Sequence, residues 1–217
     1  MEDKPQSSNQ DANNMCISVT IHAIYPYNFK KSMLSLNPDS HEPESITLAD
    51  GTQIVIRPIQ PDDAEDLQAA FQRLSMESIY LRFLSFKKVL TDEEARQLAT
   101  LDYITRMAFV ATCLENGKDI VMGVARYALL DTDDPEMAEA AVVVEDKYQG
   151  RGIGKLLLWR LVHYARAKGI HFLRGNLQIG NDRMLTLVQR SGLSHQQRYV
   201  DGIWEVTIDL QSANQGT

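Results

Sequence analysis

The chain has 217 residues, 44% of them hydrophobic, which suffices for one full core and makes one domain the expectation. Its formal net charge of −7 argues against a nucleic-acid or anionic-membrane partner, and no apolar run reaches the length of about 18 residues needed to span a bilayer. Met1-Glu2-Asp3-Lys4 lacks the basic-then-apolar order of a secretory signal, and Cys16 and Cys113 are too few for a disulfide scaffold or a zinc site, so a soluble cytoplasmic protein without metal is expected.

Residues 1–15 are polar and rich in Asn, Gln and Ser, a composition that predicts disorder. Ile17-Ser18-Val19-Thr20-Ile21 alternates like a strand, and Pro38 and Pro43 mark a linker. Residues 1–45 therefore read as a partly disordered N-terminal extension that packs on the domain or on a partner chain. From Ile46 the pattern becomes regular. Ile54-Val55-Ile56 is a short strand ended by Arg57-Pro58, and Pro61-Asp62-Asp63 suits the first turn of a helix carrying Ala64, Leu67, Ala70, Phe71 and Leu74. A second helix contains Ser78 to Phe83. A third starts at Thr91, with Glu94 completing a capping box, and runs to Leu101.

Met107 to Leu114 and Ile120 to Leu130 are apolar strands joined at Asn116-Gly117, a hairpin signal, and Gly123 suggests a bulge in the second. Cys113 reads as a buried small hydrophobe. An acidic loop, Asp131 to Glu136, precedes a strand from Glu139 to Val144. After a glycine loop, Leu156 to Ala167 has helical spacing, Phe172 to Gln178 is a strand, and Asn181 to Arg190 is a helix closed by Gly192. Tyr199 to Leu210 supplies one or two last strands around Asp201-Gly202, and 213–217 is a disordered tail. The order specifies a mixed α/β (α+β) domain.

The glycine loop carries the functional signal. A strand, Ala140 to Val144, turns through Gln149-Gly150-Arg151-Gly152-Ile153-Gly154-Lys155 into a helix, which presents unpaired backbone N–H groups at a positive dipole end and makes a phosphate cradle. A Walker A loop would need glycine where Gln149 stands and a hydroxyl where Leu156 stands; a dinucleotide fingerprint would need glycine at Lys155. The spacing that fits is Q-x-x-G-x-G, which resembles the pyrophosphate loop of the GNAT acyltransferases; the bland alternative is an ordinary strand-to-helix turn.

The resemblance covers residues 46–212 and implies the GNAT fold, a mixed central sheet of six to seven strands flanked by helices. Three phrases resemble the catalytic domain of bacterial Pat-type protein-lysine acetyltransferases: Asp50-Gly51-Thr52 with Ile56-Arg57-Pro58-Ile59 and Pro61-Asp62-Asp63; Leu74-Ser75-Met76-Glu77-Ser78 with Tyr80, Arg82 and Phe83; and Leu101-Asp102-Tyr103 with Met107 to Ala111. Ile24-Tyr25-Pro26-Tyr27 is similar to the segment leading into that domain. The 45 residues before it are too few for the accessory domains of such enzymes, so built-in nucleotide control is not expected.

The resemblance implies acetyl-CoA as co-substrate and a protein with an exposed lysine as partner. Gly150, Arg151, Gly152, Ile153, Gly154 and Lys155, behind Gln149, would hold the pyrophosphate, with Arg151 and Lys155 either adding charge or remaining solvated cations. Val142, Val143 and Val144 match the edge that pairs with the pantetheine arm, and the Val143 N–H is the candidate oxyanion donor. Glu139 matches the family's catalytic glutamate and is otherwise a solvated acid at a strand start; Glu145 and Asp146 read as turn residues. Asn181 matches an asparagine that contacts pantetheine or positions the loop, and serves equally as a plain helix N-cap. Many relatives place a tyrosine general acid seven residues on, where this chain has Val188, and neither Tyr148 nor Tyr164 matches. The histidines show no metal spacing, and His163 and His171 read as surface residues. Asp131, Asp133, Asp134 and Glu136 either attract a cationic substrate or form a solvated loop. Glu77, Tyr80 and Arg82 line the acceptor side or form a structural ion pair. The readings carried forward are a protein-lysine acetyltransferase, a small-amine N-acetyltransferase, and a non-catalytic acyl-CoA-binding regulator.

Overall fold

The computed structural model describes residues 40–130 and 136–212. The expectations for residues 1–39, including the strand at Ile17–Ile21 and the segment Ile24–Tyr27, lie outside the described residues, as do those for Asp131, Asp133, Asp134 and the tail at 213–217. The elements in chain order are β1 (Glu44–Thr47), β2 (Gln53–Pro58), α1 (Ala64–Gln72), α2 (Met76–Phe83), α3 (Asp92–Ala99), β3 (Arg106–Glu115), β4 (Lys118–Leu129), β5 (Met137–Val144), α4 (Ile153–Ala167), β6 (Phe172–Gln178), α5 (Asp182–Gln189), β7 (Ser194–Val200) and β8 (Ile203–Asp209). The sheet runs β1-β2-β3-β4-β5-β6-β8-β7 and is antiparallel except where β5 meets β6.

Local chemistry accounts for the joints. Asn116 and Gly117 both have positive φ, 51° and 78°, the left-handed pair that a two-residue hairpin requires, and Glu115 pairs with Lys118 across it. Asp201 and Gly202, at 49° and 89°, repeat the device between β7 and β8. The register of β3 and β4 slips between Ala111↔Gly123 and Thr112↔Val121, so the expected bulge is present, with Met122 as the extra residue. Ser75 Oγ caps α2 by accepting the Ser78 N–H at 3.1 Å, and Thr91 with Glu94 forms the expected capping box on α3. Pro61–Asp63 form a 3-10 turn ahead of α1, where the Asp63 carboxylate takes both Arg57 terminal nitrogens and the Gln60 N–H, each at 2.7 Å.

The period of two along β3 divides the core. Ala108 and Val110 face α1, α2 and α3, where Leu67, Phe71, Ile79 and Leu90 are buried. Phe109 faces the opposite side, edge-on to Tyr164 of α4 at 5.6 Å, beside the fully buried Leu157 and Leu161. Full burial of each such side chain is worth about 1.5–3 kcal/mol. Cys113 is buried as expected. His163 is half-buried, and burial lowers its imidazole pKa. No helix among the described residues is long and apolar enough to cross a membrane.

The sheet has eight strands where six to seven were expected. The additional strand β1 is four residues long and contains Glu44 and Ser45; its antiparallel ladder with β2 defines it rather than any apolar period. β7 begins at Ser194, earlier than Tyr199, because Ser-His-Gln-Gln-Arg pairs along β8 as a largely exposed edge.

Two measurements probe this frame. A Cβ added at Gly123 would lie 2.8 Å from the Val143 carbonyl oxygen and 3.2 Å from Leu157 Cδ1 and Val144 Cγ2, so Gly123→Ala is expected to destabilise the protein by about 1–3 kcal/mol in denaturant unfolding. At the entry to β3, Asp102 is raised by burial, but the Thr105 hydroxyl at 2.5 Å and the N–H groups of Arg106, Ile104 and Thr105 at 2.9 Å outweigh that and hold its carboxyl at about 2. A depressed carboxyl stabilises above its unfolded value of about 3.9 and loses that contribution as pH falls toward its folded value. Thermal melts of the parent chain should therefore fall more steeply between about pH 4 and 2 than those of Asp102→Asn.

Candidate active site

β5 and β6 are paired only at Met137↔Phe172, Ala138↔Leu173 and Glu139↔Arg174. Beyond Glu139, β5 continues along β4 to Val144, while β6 is paired along its length with β8. The interior edge of a sheet is thereby opened from Ala140 to Val144, a stretch of about 15 Å of strand.

Backbone groups leave a strand alternately by its two edges. The Glu145 N–H donates to the Met122 carbonyl at 2.8 Å and the Leu130 N–H to the Met137 carbonyl at 3.3 Å, so the odd-numbered residues of β5 address β4. The Val143 carbonyl beside Gly123 agrees. The even-numbered residues turn the other way: the Val144 carbonyl accepts from Gln149 Nε2 at 2.9 Å, and the Ala140 carbonyl faces Gly175 on β6. The expectation for Val143 is thus corrected, because its N–H points into the β4 ladder. The N–H groups on the open edge belong to Val142 and Val144.

The glycine loop closes the far end of this edge. After a 3-10 turn at Asp146–Tyr148, Gly150 and Gly152 adopt φ of 76° and 87°, and α4 begins at Ile153. A Cβ at either glycine would meet nothing within 4 Å, so the loop's outer side is open. Positive φ and the N–H groups of the first turn of a 15-residue helix make an anion cradle there. Gly154 serves packing instead: a Cβ there would sit 3.6 Å from Val144 and 3.7 Å from Leu187. Ile153 is a buried core residue, leaving only its backbone for a ligand.

The side chains of the loop are largely committed to holding it. Gln149 donates to Val144 and, at 3.3 Å, to Ser78 Oγ, and its carbonyl accepts from Arg183 of α5. Arg151 is tied to Asp50 Oδ2 at 2.7 Å and to Thr52 Oγ1 at 2.5 Å, so its charge is matched within the protein. Lys155 is half-buried, and burial lowers its ammonium pKa. Asn181 is buried and caps α5, its Oδ1 accepting the Met184 N–H at 3.2 Å. Glu145 pairs with Arg73 at 2.8 Å, and Asp146 accepts from Ser75 and Ser78, so these turn residues tie the end of α1 and the start of α2 to the loop. Val188 is buried. Tyr164 donates to the Tyr103 carbonyl at 2.8 Å, and Tyr148 donates to Glu115 at 2.5 Å; burial and that bond push the Tyr148 phenol up to about 12.

On the α2–α3 side of β5 lies a pocket of about 420 Å³ whose walls include Arg82, Leu98, Arg106, Arg126, Glu139 and Ala141. Glu139 is exposed into it at the last rung shared by β5 and β6. Arg82 comes from the last turn of α2, Arg126 from β4 and Arg106 from the start of β3. Burial lowers the Arg82 guanidinium pKa while Glu139 raises it, and burial with neighbouring Arg82 and Arg106 takes Arg126 down to about 10, leaving it a cation at neutral pH. Glu77 is exposed and Tyr80 stacks on Phe86 at 4.8 Å, so of that phrase Arg82 and Phe83 line this pocket. Arg106, Arg126 and Arg183 were not singled out from sequence; Arg126 had a signal, as a lone charge inside an apolar strand. Among the described residues no group of three or more His, Cys, Asp or Glu is arranged to hold a metal.

Residues 73–193 match the Acetyltransferase (GNAT) family. The chain is 35% identical over 123 residues to an acetyltransferase of Pseudomonas aeruginosa, spanning 57% of this chain and 65% of that protein. It is 30% identical over 150 residues to the acetyltransferase Pat of Mycolicibacterium smegmatis, spanning 69% of this chain and 44% of that one. The chain thus covers less than two thirds of either relative's length. Among solved structures, the GNAT domain of S. lividans PAT is similar with a TM-score of 0.69 at 26% identity, covering 77% of this chain and 96% of that domain. A cAMP-binding acyltransferase from Mycobacterium smegmatis follows at a TM-score of 0.54 and 26% identity, with 79% of this chain and 49% of that one covered.

Gly152→Ala tests the cradle. The positive φ costs a side chain about 1–2 kcal/mol of stability, and the added methyl enters the open side of the loop. Calorimetric titration should show acetyl-CoA binding weakened by about tenfold or more, and the thermal shift it induces should shrink accordingly.

Proposed function

The chain belongs to the GNAT acetyltransferase family, and on that premise we propose that it transfers the acetyl group of acetyl-CoA to the side-chain amine of a lysine in a protein substrate, within the cytoplasm. The observation that carries this reading is the position of Glu139: it stands at the last paired rung of β5 and β6, where the opened edge and the pocket meet. The likeness to Pat catalytic domains supports the choice of a lysine acceptor.

In this proposal the N–H groups from Gly150 to Lys155 and the start of α4 hold the pyrophosphate, Gln149 and Arg151 keep the loop in shape, and Asn181 fixes α5 beside it. The edge from Val142 to Val144 holds the pantetheine arm as a neighbouring strand would. The coenzyme supplies an acyl carbon activated as a thioester. A lysine amine has a pKa near 10.4 and arrives protonated at neutral pH, so Glu139 accepts that proton directly or through water. The neutral nitrogen then bonds to the acyl carbon while the carbon–sulfur bond breaks, and the second proton it sheds passes to the water that protonates the thiolate. The N–H of Val142 or Val144 donates to the acyl oxygen as charge develops there. Val188 has no proton to give, so the leaving thiolate takes one from water.

Glu139→Gln should lower kcat by about 10²- to 10⁴-fold with acetyl-CoA binding little changed, measured as CoA thiol release and as calorimetric affinity. Mass spectrometry of candidate proteins incubated with acetyl-CoA reads the acceptor. Unchanged turnover in Glu139→Gln removes the base; turnover of free polyamines with no protein lysine modified removes the substrate.

A further inference from the structure

The charges around the acceptor pocket do not suit a bare lysine. Its walls carry Lys87, Arg82, Arg106 and Arg126 against Glu94 and Glu139. Lys87 and Glu94 are paired with each other at 2.5 Å. What remains is three guanidiniums facing one carboxylate, Glu139. Among the described residues neither Arg82 nor Arg106 makes a side-chain hydrogen bond or ion pair, and Arg126 makes one hydrogen bond, from Nη2 to the Leu98 carbonyl at 2.9 Å. Arginine side chains partly enclosed in a pocket wall, as those of Arg82 and Arg126 are, are ordinarily matched by carboxylates or carbonyls, and a planar guanidinium, exposed at Arg106 as well, is shaped to take a carboxylate through two parallel bonds.

We propose that this pocket selects a lysine whose immediate neighbour in the peptide is Asp or Glu, with the neighbour's carboxylate bound by Arg82 and Arg106 while the amine reaches Glu139. The inference rests on the reading of this pocket as the acceptor site. A substrate carboxylate cancels the repulsion that an entering ammonium otherwise meets. The same guanidiniums favour the neutral form of the amine, which is the nucleophile. Arg126, held by Leu98, forms the fixed floor. The other two guanidiniums, Arg82 over the Phe83 ring at 5.0 Å and Arg106 at the start of β3, keep their N–H donors for the carboxylate.

The test uses the full chain and three short peptides that differ only beside one lysine, in Glu, Ala or Lys. Turnover is read as CoA thiol release. Occupancy is read separately by fluorescence anisotropy of the same peptides with norleucine in place of the reactive lysine. The Glu peptide should exceed the Ala peptide by about tenfold in both kcat/KM and affinity, with the Lys peptide weakest. Arg82→Lys should keep that order. Arg82→Glu and Arg106→Glu should each reverse it toward the Lys peptide; Arg106 is exposed and without side-chain bonds, so its variant does not depend on α2 surviving the change. Glu and Ala peptides within about twofold in both readouts overturn the inference while leaving lysine acetylation intact. Selective binding of the Glu peptide with no turnover of any peptide sustains the anionic site and overturns the proposed function instead. Acetylation of free amino acids, dependent on Arg82, with no peptide bound overturns the peptide source of the carboxylate.

Discussion

The parting of β5 from β6 after Glu139 is the constraint on which the rest of the site depends. A sheet interior normally hides its N–H and C=O groups in ladders, and an unpaired stretch there invites another strand-like partner. Here the two strands are held together at Met137–Glu139 and then separately: β5 by β4 and α4, β6 by β8. The bulge at Met122 and the missing side chain at Gly123 let the end of β5 settle against β4 and Leu157. The candidate site lies along that opening, with the pocket and Glu139 at its apex and the glycine loop at its far end.

Much of this was legible in the sequence because it is written in short-range chemistry. Asn116-Gly117, Asp201-Gly202, Thr91 with Glu94, and Gly150 with Gly152 each need only a few neighbours to fix their geometry. β1 and the first half of β7 were not legible, since Glu44-Ser45 and Ser194-His195-Gln196-Gln197 carry no apolar alternation and become strands only by pairing. Val143 shows a subtler limit. Strand period assigns side chains to faces, but the edge by which a given N–H leaves depends on the register with the next strand, and here that register gives Val143 to β4.

Charge was the least legible property. Arg151 stands in the loop as if to meet a phosphate, yet a turn in the β1–β2 hairpin neutralises it. The cations of the pocket beside Glu139 come from α2, β3 and β4, and only folding gathers them. Positive charge at the loop therefore rests on backbone dipoles, on Lys155 and on Arg183 brought in by α5. Positive charge at the pocket rests on three guanidiniums that share the one carboxylate of Glu139.

The bonds that run from Ser75 and Ser78 to Asp146, and from Gln149 to Ser78, join the start of α2 to the glycine loop. The same short helix carries Arg82 at its other end. One lever thus spans both halves of the site. Thermodynamic linkage makes such a lever reciprocal: whatever factor the coenzyme contributes to acceptor affinity by steadying α2, the acceptor returns in equal measure to the coenzyme. Any coupling between the glycine loop and the pocket that runs along these bonds is carried by a helix of eight residues.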